Sequence, residues 1–162
     1  MSTAELLPAC LGVLRALDSM APSRLALITD AQASRRPAPD KWCCKEELGH
    51  LCDSASINHQ RILVTLLTEQ PTLSGYDQRQ LVTRHAYAEQ DWVDLIQLWQ
   101  GLIIHILMAT DNLTPTEWQR PCVLESTGNL TLSALLTHFV SHQCHHLHHI
   151  GIRMDDLSAL CE

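Results

Sequence analysis

The clearest pattern of apolar and polar positions lies between residues 88 and 112. Trp92, Leu95, Ile96, Trp99, Leu102, Ile103 and Ile106 recur at i, i+3, i+4 and i+7, the single stripe of an amphipathic helix. Residues 5–33 repeat the pattern with Leu7, Cys10, Leu11, Leu14, Leu17, Leu25 and Ile28. Pro22 should kink or end that helix, because it lacks an N–H donor and clashes with the preceding turn. Segments 42–70 and 131–150 also read as helices. Pro37 and Pro39, the stretch Pro71 to Gly75, then Pro115, Pro121, Gly128 and Gly151 punctuate the chain between and after these segments. Thr114-Pro115-Thr116-Glu117 has the form of a capping box with proline at the first helical position, which predicts a short helix near 115–120. Thr131 is placed to N-cap the last segment. No period-2 alternation flanked by an Asn-Gly or Asp-Gly turn is present, so strands are not expected. The pattern predicts an all-α fold, a four-helix bundle. Its first connection is short, which predicts that the first two long helices are antiparallel neighbours. The other two connections run to roughly 17 residues each, a length uncommon in compact domains and often functional.

The 162 residues are enough for one domain spanning 1–162, and 46% apolar content excludes a disordered chain. Charged residues make up 18%, below the usual share of about 25%. A bundle so poor in charge is expected to hide part of its surface in a homodimer. The net charge is −7 and basic residues cluster only at Arg35-Arg36. That excludes a nucleic-acid partner, since phosphate binding needs a concentrated Lys/Arg face. Uninterrupted apolar runs fall far short of the roughly 18 residues of a membrane span. The first residues lack the basic-then-apolar layout of a signal peptide, so a cytoplasmic protein away from membranes is expected. The seven cysteines, at 10, 43, 44, 52, 122, 144 and 161, contain no C-x-x-C pair and are expected to be thiols.

Histidine changes the picture. The chain has ten, and His138, His142, His145, His146, His148 and His149 fall within twelve residues. Interruption by other residues and the ordinary sequence that follows exclude a purification tag. Histidine is the commonest metal ligand, so a site is the stronger reading than a tolerated polar face. At about 100° per residue, His142 and His146 point most nearly into the apolar arc of the last helix. Four residues apart, they can share one metal ion. Gln143 stands where H-E-x-x-H proteases carry their general-base glutamate, so that class is not expected. A catalytic zinc takes three protein ligands, which leaves His50, His59, His85 and His105 as candidates for the third. His59 lies on the apolar stripe of its helix and reads as a core or interface residue. His105 reads as exposed, and His85 sits in a long connection. His50 shares a polar face with Glu47, Ser54, Ile57, Asn58 and Arg61, which is either solvent-facing surface or the wall of a pocket. Gly49 beside it suggests close approach of another group, because glycine inside a helix costs roughly 1 kcal/mol relative to alanine.

Trp42, then Lys45-Glu46-Glu47-Leu48-Gly49-His50-Leu51-Cys52-Asp53, then Asn58 and Arg61, resemble the second helix of the DinB/YfiT-like metalloenzymes. Gly75-Tyr76-Asp77 is similar to their following loop. Gly128-Asn129-Leu130-Thr131-Leu132, with His138-Phe139-Val140 and His142 to His146, is similar to their last bundle helix. The resemblance implies an up-down-down-up bundle, here with a short helix near 115–120 and a short C-terminal helix, and a homodimer. It also implies one divalent ion per chain on three histidines, which by position are His50, His142 and His146. The place of His50 rests on the resemblance. Zinc is the expected ion, with nickel as a substitute after affinity purification. Cys43 departs from the Ser or Thr that often caps the second helix in the family.

Three neutral imidazoles leave an ion its full charge and an open position, which lowers the pKa of a bound water or thiol. Hydrolysis and thiol-dependent transfer on a small molecule both follow. Arg61 and Asn58 are the candidate substrate-binding residues, with a surface salt bridge as the other reading of Arg61. Asp53 is either a group that orients a ligand or, more simply, a helix-surface aspartate. The rival reading is a non-catalytic metal-binding or scaffold dimer. Structural zinc sites usually have four ligands, often cysteines, and Cys144 faces away from His142 and His146.

Overall fold

The computed structural model describes residues 3–152. Four long helices carry the fold: α1 (Thr3–Leu25), α3 (Cys44–Leu67), α5 (Trp92–Thr110) and α7 (Leu132–Ile150). Short elements fill the connections: α2 (Asp30–Ala33), β1 (Thr72–Leu73), α4 (Gln78–His85), a 3-10 turn at Tyr87–Glu89, α6 (Pro115–Trp118), β2 (Pro121–Leu124) and β3 (Gly128–Thr131). The expected C-terminal helix and Cys161 lie outside the described residues. Cys43, Cys44, Cys52 and Cys122 are thiols.

Side-chain pairs give the directions. Arg15 reaches Asp111 and Gln100 reaches Asp18, so α1 and α5 are antiparallel. Cys52 meets Leu95 and His59 meets His105, so α3 and α5 are parallel. His50 meets both His142 and His146, and Glu47 meets His146, so α3 and α7 are antiparallel. The order is therefore up-down-down-up. One expectation fails here. α1 packs on α5 and α7, and α3 packs on the same two helices, so α1 and α3 are antiparallel across a diagonal and not neighbours. The connection between them is anchored elsewhere. Asp30 in α2 accepts from Trp92 N at 3.1 Å and pairs with the buried Lys45 Nζ at 2.7 Å, tying it to the starts of α5 and α3. α5 is long and apolar enough to cross a membrane by length and composition, but it packs between α1 and α3.

Pro22 ends α1 without breaking it early. It lies in the last turn, where its ring leaves the Asp18 carbonyl without a helical donor. Gln100 Nε2 supplies one at 3.3 Å. At the start of α3 the Cys43 backbone N–H donates to Glu46 Oε2 at 3.0 Å, so the helix begins firmly without a hydroxyl cap. The capping box at Thr114 and Glu117 and the N-cap at Thr131 both form.

A three-stranded sheet, ordered β1-β2-β3, joins the two long connections. β2 and β3 form an antiparallel hairpin, Pro121 opposite Thr131 and Leu124 opposite Gly128, and β1 adds in parallel. These strands escape a periodicity search because they are two to four residues long. Arg120 ties the sheet to the bundle, donating to the Thr65 and Thr68 carbonyls at 2.7 and 3.0 Å. Those are carbonyls that the C-terminal end of α3 leaves without helical donors.

The glycine at 49 is explained by Tyr87. A Cβ there would stand 2.1–2.6 Å from atoms of the Tyr87 ring. The ring cannot retreat freely, because its hydroxyl donates to the buried Asp53 Oδ1 at 2.7 Å. Gly49→Ala is expected to destabilise the protein by about 1–3 kcal/mol through overpacking. Gly12→Ala, at an exposed helical position with nothing within 4 Å, should be neutral or gain up to about 1 kcal/mol. Denaturant midpoints of the two variants check the contrast.

Candidate metal centre

α7 is aimed by its ends and its core stripe. Thr131 Oγ1 accepts from Ala134 N at 3.2 Å. Gly151 closes the helix at φ +93°, the left-handed conformation that glycine adopts without strain. Between them Leu132, Leu135, Leu136, Phe139 and Leu147 fill the core. Gln143, fully buried, accepts from Trp99 Nε1 at 2.8 Å and so fixes the position of α7 against α5. His142 and His146 then emerge at the core margin facing α3. On α3, Leu48, Leu51, Ala55 and Ile62 are buried, and His50 is fully buried with them.

The three rings meet edge to face. Centroids are 4.9 Å apart for His50 and His142, 4.6 Å for His50 and His146, and 4.5 Å for His142 and His146. One ligand nitrogen from each lies within 4.8 Å of the other two. His50 Nε2 and His142 Nε2 are 3.0 Å apart. Two imidazole nitrogens sharing a tetrahedral zinc at about 2.0–2.1 Å would stand about 3.3 Å apart, so the donor set fits a small divalent ion.

The outward nitrogens are held. His146 Nδ1 lies 2.6 Å from Glu47 Oε2. A carboxylate only accepts, so Nδ1 carries the proton and the Nε2 lone pair faces the centre. Ser54 Oγ holds His142 Nδ1 at 3.3 Å, and Trp42 tilts over His50 at 5.3 Å between centroids. His50 Nδ1 is buried with no hydrogen-bond partner among the described residues, an orphan of the kind found at functional sites. Burial, reinforced by the neighbouring imidazoles, pushes His50 down to about 4 and His142 down to about 3. Both are therefore neutral near pH 7, the form that binds metal.

The other candidates sort cleanly. His59 is buried and stacks on the exposed His105 at 3.9 Å. His85 and Tyr87 share Asp53 Oδ1, at 3.1 and 2.7 Å. Asp53 is thus a buried group whose carboxyl is raised by burial, neither a surface residue nor a support for a histidine ligand. A cavity of about 230 Å³ opens beside the centre, walled by Ser54, Asn58, Arg61, Tyr76, His138 and His142. Arg61 is not in a surface salt bridge. Its guanidinium lies over the Tyr76 ring at 5.6 Å, donates to the Ser74 carbonyl at 2.5 Å, and has no carboxylate partner among the described residues. Asn58 Nδ2 donates to the Ser54 carbonyl at 2.9 Å, next to the hydroxyl that holds His142. The roles of Ser54, Tyr76 and His138 were not singled out from the sequence. Ser54 shares the His50 face, a signal that marked the wall but not its function.

Two depressed histidines have a consequence for stability. In the unfolded chain each takes a proton near pH 6.5, while in the fold they stay neutral down to about 4 and about 3. The unfolded state then binds more protons, and stability of the metal-free protein should fall as pH drops from about 6.5 through about 3. Thermal melts across that window should show it, and His142→Gln should flatten the slope.

Comparison with known proteins places the fold and the family. A protein of Oceanobacillus iheyensis, whose name gives it as an inferred metal-dependent hydrolase, is 24% identical over 136 residues, covering 81% of this chain and 75% of that one. YfiT from Bacillus subtilis, described as an inferred metal-dependent hydrolase with an unusual four-helix bundle topology, superposes with a TM-score of 0.76. It is 21% identical, over 97% of this chain and 86% of its own. The mycothiol-dependent maleylpyruvate isomerase superposes with a TM-score of 0.77 at 13% identity, over 93% of this chain and 63% of that one. At such identities the two structures establish a shared fold. The sequence profile of the DinB superfamily matches residues 14–150, a span that contains His50, His142 and His146, and the chain belongs to that superfamily.

Proposed function

We propose that this protein is a zinc-dependent hydrolase of a small anionic molecule, with the ion held by His50, His142 and His146. The observation that carries the reading is the convergence of three imidazoles, His50 and His142 held neutral by burial, beside a cavity that also holds a cation without a carboxylate partner. When bound, such an ion supplies Lewis acidity and makes a bound water a nucleophile near neutral pH. The chain's residues do the rest. Glu47 and Ser54 hold the outward nitrogens of His146 and His142 and so keep their inward lone pairs in place. Arg61, stacked on Tyr76, offers its remaining donors to a carboxylate or phosphate of the substrate. Asn58 steadies Ser54. A low-molecular-weight thiol would compete for the same open position, and assays with and without one separate the two nucleophiles.

The test is metal content with activity. Protein purified without nickel chromatography should carry about one zinc per chain, and His146→Ala should lose it on dialysis against a mild chelator. His148→Ala, at an exposed position, should keep it. A screen of small anionic esters and amides should give activity that His146→Ala abolishes. Arg61→Ala should raise KM about tenfold or more with a smaller change in kcat, as expected for loss of a charged hydrogen bond of about 1.5–3 kcal/mol. Equal metal in the two histidine variants would remove the centre and the hydrolase with it.

The second element of the reading is a homodimer. Val93, Ile104 and Met108 on α5 are 55%, 40% and 72% exposed and share one face, which supports burial against a second copy. Light scattering should give twice the chain mass at micromolar concentration, and a monomer would overturn it.

A further inference from the structure

Glu47 meets α7 with both carboxylate oxygens. Oε2 holds His146 Nδ1 at 2.6 Å, while Oε1 stands 3.8 Å from Nδ1 of His149. One ligand atom from each of Glu47, His146 and His149 lies within 4.8 Å of the other two. His145 sits one turn before His149, with ring centroids 4.4 Å apart. α7 therefore carries a second i, i+4 imidazole pair, rotated about its axis from His142 and His146. The two clusters differ in access. His50 is sealed, whereas the His149 side chain is 46% exposed. His149 and Glu47 line a separate cavity of about 570 Å³ beside Trp42 and Cys44.

A separation of 3.8 Å is too long for a hydrogen bond. It is within the span of two ligands on one ion, since zinc takes carboxylate oxygen and imidazole nitrogen at about 2.0–2.2 Å each. We propose that Glu47 Oε1 and His149 Nδ1 bind a second divalent cation, outside the three-histidine centre. His145 is the next imidazole on that face. His146 keeps its Nδ1 proton on Oε2, so the two sites share a carboxylate and not an imidazole. The mixed nitrogen and oxygen donors suit zinc, nickel or copper over magnesium or calcium. The second site is the weaker one. It is open to water, and Arg35, Arg36 and Lys41 line the same cavity, with Arg36 already paired to Glu46 at 2.5 Å. An ion there draws on the carboxylate that orients His146, so occupancy of each site lowers affinity at the other.

The experiment is a zinc titration of untagged, chelator-stripped protein in competition with a chromophoric chelator. Wild type should take up two ions per chain, the second at least about tenfold more weakly, a gap of about 1.4 kcal/mol. His149→Ala should keep the tight step and lose the weak one. His142→Ala should lose the tight step and keep the weak one, and His148→Ala should keep both. A single step in wild type that His149→Ala leaves unchanged, or two steps in His149→Ala, overturns the proposal. So does equal loss in His148→Ala and His149→Ala, which marks a loosely binding histidine surface. A missing tight step with a surviving His149-dependent step would sink the three-histidine centre and leave this site standing.

Discussion

The antiparallel contact of α3 with α7, at the one register that sets His50 against His142 and His146, is the constraint on which the site depends. Neither helix has enough ligands alone. A one-residue slip of α7 would turn its pair by about 100° and out of reach. That register is held by apolar packing and by Glu47 and Ser54 on His146 and His142, while the buried Trp99–Gln143 bond fixes α7 against α5. Three imidazoles can converge there because burial keeps His50 and His142 neutral and Glu47 holds the outward nitrogen of His146. The low dielectric that would penalise a charged cluster leaves His50 and His142 unprotonated, the form in which an imidazole can take a metal ion.

α3 carries more buried polarity than a bundle helix needs. Lys45, Glu46, His50, Asp53, Ser54, Asn58 and His59 are all buried on it. Such groups cost stability unless partnered, and most of the partners come from different elements. Lys45 is tied to α2, Asp53 to the 3-10 turn, Ser54 to α7, and His59 to α5. The helix is thereby fixed in rotation from several sides, and His50 inherits that rotation. Gly49 belongs to the same device, since only its missing side chain lets Tyr87 close over α3 and reach Asp53.

The two long connections build the walls around the centre. The first supplies Tyr76 under Arg61, and the second supplies a strand that pairs with β1 and runs through β3 directly into the cap of α7. Pairing the connections in one sheet holds the mouth of the small cavity to the bundle.

Local chemistry made much of the molecule legible in the sequence. The four long helices, the capping box at Thr114, the Thr131 cap, the crowding at Gly49 and the inward pair His142 and His146 all follow from spacing of 3.6 residues per turn and from short-range hydrogen bonds. His50 could be named by resemblance but not by pattern, because a polar helix face looks the same whether it meets water or another helix. The diagonal placement of α1 and α3, the three short strands, the burial of Asp53 and the supports given by Glu47 and Ser54 were decided only by tertiary structure. Each depends on residues distant in sequence meeting in space. Periodicity reports which side of a helix is apolar and carries no information on which neighbour that side will find.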